Sequence, residues 1–272
     1  MFKRIAMLAA IVILTSGFIG GFSSSKPEAW DIWEKHNPEN TASIDHSKWD
    51  GILKKYISTD ETGLNLFAYG DVSEDDNALL KSYIEDMSKI SISDHSRPVQ
   101  FAYWVNMYNA LTVTVILDNY PVESIRDIDT SGLFKNGPWG AELVQVEGET
   151  LTLDDIEHRI LRPIWKDPRI HYAVNCASVG CPNLNKNAFT AANLEPMLED
   201  GARQYINSER GFFVEDGDLI VSSIYKWFAY DFNNSEEGIL NHLKKYANAE
   251  KLKELENINE IADTDYDWYL NE

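Results

Sequence analysis

The sequence predicts an α+β fold: a single main domain with a long buried central helix, short mostly antiparallel strands and surrounding helices, preceded by a helical leader. Three observations carry this expectation. Between Arg97 and Asp118 there is no charged residue, the signature of a helix covered on all sides. Two pairs of short apolar runs flank turn residues, Gly148 in one and Asp216-Gly217 in the other, as hairpins do. The remaining helical periodicities do not alternate regularly with strands, which speaks against a doubly wound parallel sheet. With 272 residues, 44% hydrophobic and 12% aromatic, the chain can bury a substantial core and does not look disordered.

The first residues stand apart. Lys3 and Arg4 precede an uncharged run from Ile5 to Phe22, and Ser23 to Ser25 follow. Residues 1–25 therefore read as a secretory signal peptide, which predicts an exported protein, periplasmic or extracellular. A retained membrane anchor is the rival, since the run approaches the roughly 20 residues that span a bilayer. Gly17, Gly20 and Gly21 favour cleavage. Residues 26–95 form the expected helical leader. Trp30–His36 and His46–Tyr56 carry aromatic residues at helical spacing, and Leu64–Tyr69 reads as a short extended piece. Ser73 with Asp76 resembles a capping box that opens a helix through Met87.

The core is expected over residues 96–208. Ser96 is a suitable N-cap and Pro98 suits the first turn of the charge-free helix. Phe101, Trp104, Tyr108, Leu111 and Val115 share one face; Asn106 and Asn109 share another with Ala102, Ala110 and Val113. Buried amides that find no partner cost on the order of 1–3 kcal/mol each, so these asparagines either satisfy backbone groups or line a site. Tyr120 and Pro121 end the helix, Ser124–Ile128 reads as a helical turn, and Ser131–Gly140 as a loop. Glu142–Val146 and Thr150–Leu153 make the first hairpin. Thr152 with Asp155 caps a helix to about Leu161, which Pro163 should stop; it carries Glu157, His158 and Arg162. Ile170, Tyr172, Val174 and Cys176 alternate with His171, Ala173 and Asn175, which predicts a central strand. Ser178, Gly180 and Pro182 then mark an irregular loop. Thr190 opens a helix to about Ile206.

Residues 209–272 are expected to pack on this core as a second hairpin (Phe212–Glu215 with Leu219–Ser222), an aromatic-rich stretch at Ile224–Phe232 and helices near Glu236–Tyr246 and Glu250–Leu255. The last residues, TDYDWYLNE, read as an edge strand or a docked tail.

Charge narrows the partners. The chain has 44 acidic against 24 basic residues, a net charge of −20, and loss of Lys3 and Arg4 with the signal makes it more negative. Such a surface repels nucleic acid and anionic headgroups, so the expected partner is a small molecule or a peptide, with no nucleic acid and no membrane after signal cleavage. No glycine-rich phosphate loop follows a strand, and no cofactor is expected.

Several separated motifs resemble one known family, catalogued as domain of unknown function 547: FAYWVNMYNAL at 101–111, LTLDDIEHRILRP at 151–163 and RIHYAVNCASVGCPNL at 169–184. KWFAYDF at 226–232 and YDWYLN at 266–271 resemble that family's ending. The resemblance implies a widespread domain in bacteria and eukaryotes, with no established activity to carry over. The histidine, asparagines and paired cysteines look like its shared polar residues and suggest a site.

Two chemistries compete for that site. A cysteine-dependent hydrolase or acyl transferase needs a thiolate, a histidine that accepts and returns its proton, and a group that orients the imidazole. The candidates are Cys181 or Cys176, His171 or His158, and Asn106, Asn109 or Asn175. Strand alternation would put His171 and Cys176 on opposite faces, which favours Cys181, especially if Pro182 begins a helical turn with the thiol at its N-terminus. The alternative is a non-catalytic binding or scaffold domain in which Cys176 and Cys181, the only two cysteines of an exported chain, form a structural disulfide. Zinc is a third reading in ligand type, with both thiols and both histidines, but the cysteine spacing is wider than in usual structural sites; no metal site is assigned.

Overall fold

The computed structural model describes residues 22–128 and 137–272. Most of the expected signal segment and the Ser131–Asn136 part of the predicted loop lie outside the described residues. Among the described residues, packing begins at Phe22, which is buried, while Ser24 accepts from the backbone of Tyr230 and donates its own N–H to Asn234.

The leader opens with a 3-10 turn at Asp31–Glu34 and helix α1 (Ser47–Tyr56). Strand β1 (Ile57–Thr59) follows directly and pairs antiparallel with β2 (Asn65–Phe67). Helix α2 (Glu74–Ser88) starts where the capping signature placed it: Ser73 Oγ accepts from the Asp76 N–H at 3.2 Å. These pieces wrap α3 (Arg97–Asn119), a 23-residue helix in which every residue from Val99 to Val113 is buried. Each large apolar side chain so buried contributes roughly 1.5–3 kcal/mol, so this helix contributes strongly to the fold's cohesion. Ser96 precedes it as expected but makes no side-chain cap; instead Arg97 and Gln100 bond to carbonyls of Trp33 and Lys35 and tie the leader down. Among the described residues no helix is long and apolar enough to cross a membrane.

The hairpin β3 (Val144–Val146) and β4 (Glu149–Leu151) turns through Glu147 and Gly148, both at positive φ, a backbone that glycine adopts without strain. The helix after it departs from expectation. Asp155–Leu161 is a π-helix that runs on through α4 (Arg162–Trp165), so Pro163 does not stop it. The Arg159 carbonyl, four residues before that proline, accepts instead from the Trp30 N–H at 3.0 Å.

The largest correction concerns the predicted central strand. Pro168–Tyr172 is a 3-10 helix and residues 173–176 pair with no strand. Pro168 lacks a ladder donor, and Asp167 caps the turn by accepting from the Arg169 N–H. The apolar alternation reflects burial of an irregular segment. Beyond the loop, Thr190 and Asn193 bond reciprocally ahead of α5 (Leu194–Ile206).

Antiparallel β5 (Phe212–Glu215) and β6 (Asp218–Ser222) then form a sheet with β7 (Asp263–Asp265), which lies parallel to β6. Between them come α6 (Ser223–Trp227), a 3-10 turn at Ala229–Phe232, α7 (Glu236–Tyr246) and α8 (Ala249–Glu254). Two apolar clusters result. One surrounds α3; the other gathers Tyr205, Phe212, Tyr225, Phe232 and Leu243. Helix α5 spans both, with Leu194 and Leu198 in the first and Ala202, Tyr205 and Ile206 in the second.

Candidate functional site

A cleft of about 480 Å³ opens along the seam between the two clusters. Its walls come from α3 (Tyr108), the π-helix (Glu157, His158), the segment after Pro168 (His171, Val174, Cys176, Cys181), α6 and Phe228, and the C-terminal tail (Tyr266, Trp268). Seams of this size are where proteins commonly hold small ligands.

The polar end is built by the π-helix. Its wider turn, frequent at functional sites, leaves Glu157 7% exposed beside Tyr108. The Glu157 carboxylate lies 3.7 Å from His171 Nδ1 and 3.9 Å from His158 Nδ1. The other nitrogen of His171, Nε2, bonds to Asp231 at 2.7 Å, and Arg162 Nε donates to the same carboxylate oxygen at 2.6 Å. Burial pushes the Asp231 carboxyl up, but the bonds from His171 and Arg162 outweigh it and hold it below the usual carboxylate range. Phe228 stacks on His171 at 4.2 Å and carries the Arg162 guanidinium 4.7 Å from its ring centre. The imidazole is thereby fixed on one side by a carboxylate and on its face by a ring. Such an imidazole can pass a proton to or from a group near Glu157.

The asparagines hold the cysteine segment. Asn109 donates to the Ala173 carbonyl (2.9 Å) and accepts from the Asn175 N–H (2.8 Å). Asn175 repeats the pattern, donating to the Pro182 carbonyl and accepting from the Ala177 N–H, each at 2.8 Å. Asn106 does the same for the backbone of Phe189. These side chains act on a chain that, lacking a strand partner, would otherwise bury unpaired peptide groups.

Cys176 and Cys181 lie at disulfide distance, with Cα atoms 6.3 Å apart. The Tyr266 hydroxyl reaches Ser178 Oγ at 2.9 Å, Cys176 Sγ at 3.0 Å and Cys181 Sγ at 3.2 Å. Burial pushes this phenol well above its ordinary pKa, so it keeps its proton. The tail that delivers it is clamped onto the loop: Val179 and Gly180 N–H groups donate to Tyr269 and Asp267 carbonyls at 2.8 Å. A Cβ on Gly180 would sit 2.8 Å from the Asp267 backbone, so the approach requires glycine.

The outer wall is aromatic. Trp227, Tyr266 and Trp268 have ring centres 4.6–5.5 Å apart, and Trp139 lies 5.8 Å from Trp268.

Of the candidates from sequence, His158, His171, Cys176 and Cys181 meet in this cleft, while Asn106 and Asn109 are engaged with backbone and are absent from its lining. Two expectations from the sequence are not met. Because residues 170–176 are not a strand, His171 and Cys176 do not face opposite ways; both line the cleft. No helix begins at Pro182, so Cys181 gains nothing from a helix N-terminus. Among the described residues neither imidazole bonds to a sulfur, and no group of three or more metal ligands occurs. Sequence reading missed Glu157 and Asp231 as site residues and the ring wall of Trp227, Tyr266 and Trp268. The density of aromatic residues in KWFAYDF and YDWYLN was the available signal.

Fold and cleft together define an α+β protein with an acidic, aromatic-walled cleft beside a cysteine pair. Residues 92–206 match the family model described as Protein of unknown function, DUF547, and the chain carries a DUF547 domain over that span. Searches of curated proteins and of solved structures found no match.

Proposed function

We propose that this is an exported binding protein that takes a small molecule or the end of a peptide into the seam cleft, with a Cys176–Cys181 disulfide bracing one wall. The observation that supports this best is how the sulfurs are engaged. They face each other and the Tyr266 phenol, while His171 is held by Asp231 and Glu157. A bridge over so few residues adds little loop-closure stabilisation; its role is to fix the wall.

A second reading, the cysteine-dependent hydrolase or acyl transferase, draws on one observation. Cys181 Sγ accepts from the Cys176 N–H at 2.9 Å and from Tyr266, surroundings that would favour a thiolate once the pair is reduced. The experiment is a ligand-observed NMR fragment screen on the unreduced protein, repeated on Trp227→Ala. Binders that compete with one another and are lost in the variant support the binding reading. A screen with no such binder, together with electrophile labelling of Cys181 that depends on His158 or His171, would replace it with the thiol reading.

A further inference from the structure

Accepting that the cleft is a binding site, we propose that its ligand class is an organic cation carrying a substituted ammonium head. The head would sit between the carboxylate of Glu157 and the π faces of Trp227, Tyr266 and Trp268. Three features converge on this chemistry.

The rings are not arranged as a flat platform. Trp227 is inclined 58° to Tyr266 and 31° to Trp268, Tyr266 is 54° from Trp268, and Trp139 closes the side at 74° to Trp268. Inclined walls enclose a compact, roughly spherical group, whereas a hydroxylated ring is better served by one open face. Aromatic faces attract cations through their quadrupole, and enclosed substituted ammonium groups use this most strongly. Trp268 already receives one cation, the Arg126 guanidinium 5.1 Å from its ring centre.

The second feature is charge. The cleft's polar end carries Glu157 and Asp154. Arg162 contributes no free positive charge there, being bonded to Asp231. His171 is bound to the same carboxylate, and His158 lies near both Asp154 and Glu157. A cation entering the cleft thus meets the Glu157 carboxylate, and the described residues of the lining include no lysine or arginine; the net charge of −20 draws it in. An anionic ligand meets the opposite field.

Size is the third. About 480 Å³ exceeds what a simple tetraalkylammonium head fills and leaves room for an apolar or hydroxylated substituent.

The test compares choline with its neutral isostere 3,3-dimethylbutan-1-ol, using calorimetry and tryptophan fluorescence on the unreduced full chain. Choline is expected to bind at least tenfold more tightly than the isostere. Trp227→Ala should weaken choline by about 5- to 30-fold, the range of an enclosed cation–π contact; Trp227 is 41% exposed, so this variant keeps its fold. Glu157→Gln should weaken choline while leaving the isostere unchanged. Equal binding of choline and isostere, or choline binding that Trp227→Ala leaves intact, overturns the cation assignment. Binding of methyl glucoside that is lost in Trp227→Ala, with no choline binding, also overturns it but leaves the binding reading standing. Failure of these probes and of every fragment in the screen overturns both.

Discussion

Replacing Asn109 by alanine tests whether this amide holds the cysteine wall in place. Asn109 is 2% exposed and bonds to two backbone groups, the Ala173 carbonyl and the Asn175 N–H. Alanine fills neither role. Each buried group left unpaired costs about 1–3 kcal/mol, so Asn109→Ala should destabilise the protein by about 2–6 kcal/mol. That is a large part of the 5–15 kcal/mol of a typical domain. Asn106→Ala removes a bond pair of the same kind, to Phe189, and should cost a similar amount. The two differ in what they anchor: Asn109 holds the segment that bears His171, Asn175 and Cys176, whereas Phe189 does not line the cleft. Urea unfolding measures both losses, and choline or fragment binding at a temperature where each variant stays folded separates them. Asn109→Ala should weaken binding and Asn106→Ala should not. A loss below 1 kcal/mol for Asn109→Ala, or equal effects on binding, would refute the reasoning.

Other consequences can be checked in the same assays. Gly180→Ala drives a methyl into the Asp267 backbone and should displace Tyr266 and Trp268; fluorescence and binding should both change, and an unaltered cleft would show that the tail clamp is not needed. Asp231→Ala strands the buried Arg162 and should cost about 3–5 kcal/mol, as removal of one partner from a buried pair does; a melting shift near zero would contradict the pairing. Acid should weaken the fold early. Burial pushes His46, bonded to Tyr83, down to about 4, and burial likewise pushes His242, bonded to Tyr172, down to about 3. In the unfolded chain both titrate near 6.5, so stability is complete above that pH and falls below it, because the unfolded state takes up protons the folded state refuses. At about 1.4 kcal/mol per pH unit for each group, the loss reaches up to about 4 kcal/mol at pH 5, and an unchanged urea midpoint between pH 7.5 and pH 5 would contradict it.

Most helices and the hairpins β3–β4 and β5–β6 were legible because their signals are local. Ser73 with Asp76 marks the start of α2, the charge-free run marks α3, and Gly148 and Asp216-Gly217 mark the turns. The segment at 170–176 mimics a strand for a physical reason: burial alone produces its alternation, and its backbone partners include asparagine side chains from α3 and from the segment itself. No period in the sequence records such bonds. The continuation through Pro163 depends on Trp30, more than a hundred residues away. The cleft was half legible. The histidines and cysteines stood out by type, but Tyr266 and Trp268 reach it only through the docking of the tail, and Asp231 reaches His171 only through the turn after α6.

The most direct test of the account is the number of thiols that alkylate in the native, unreduced protein, read by intact mass before and after reduction. The disulfide-braced cleft predicts none before reduction and both Cys176 and Cys181 after it. Alkylation of either cysteine in the native protein would contradict the account and move the site to thiol chemistry.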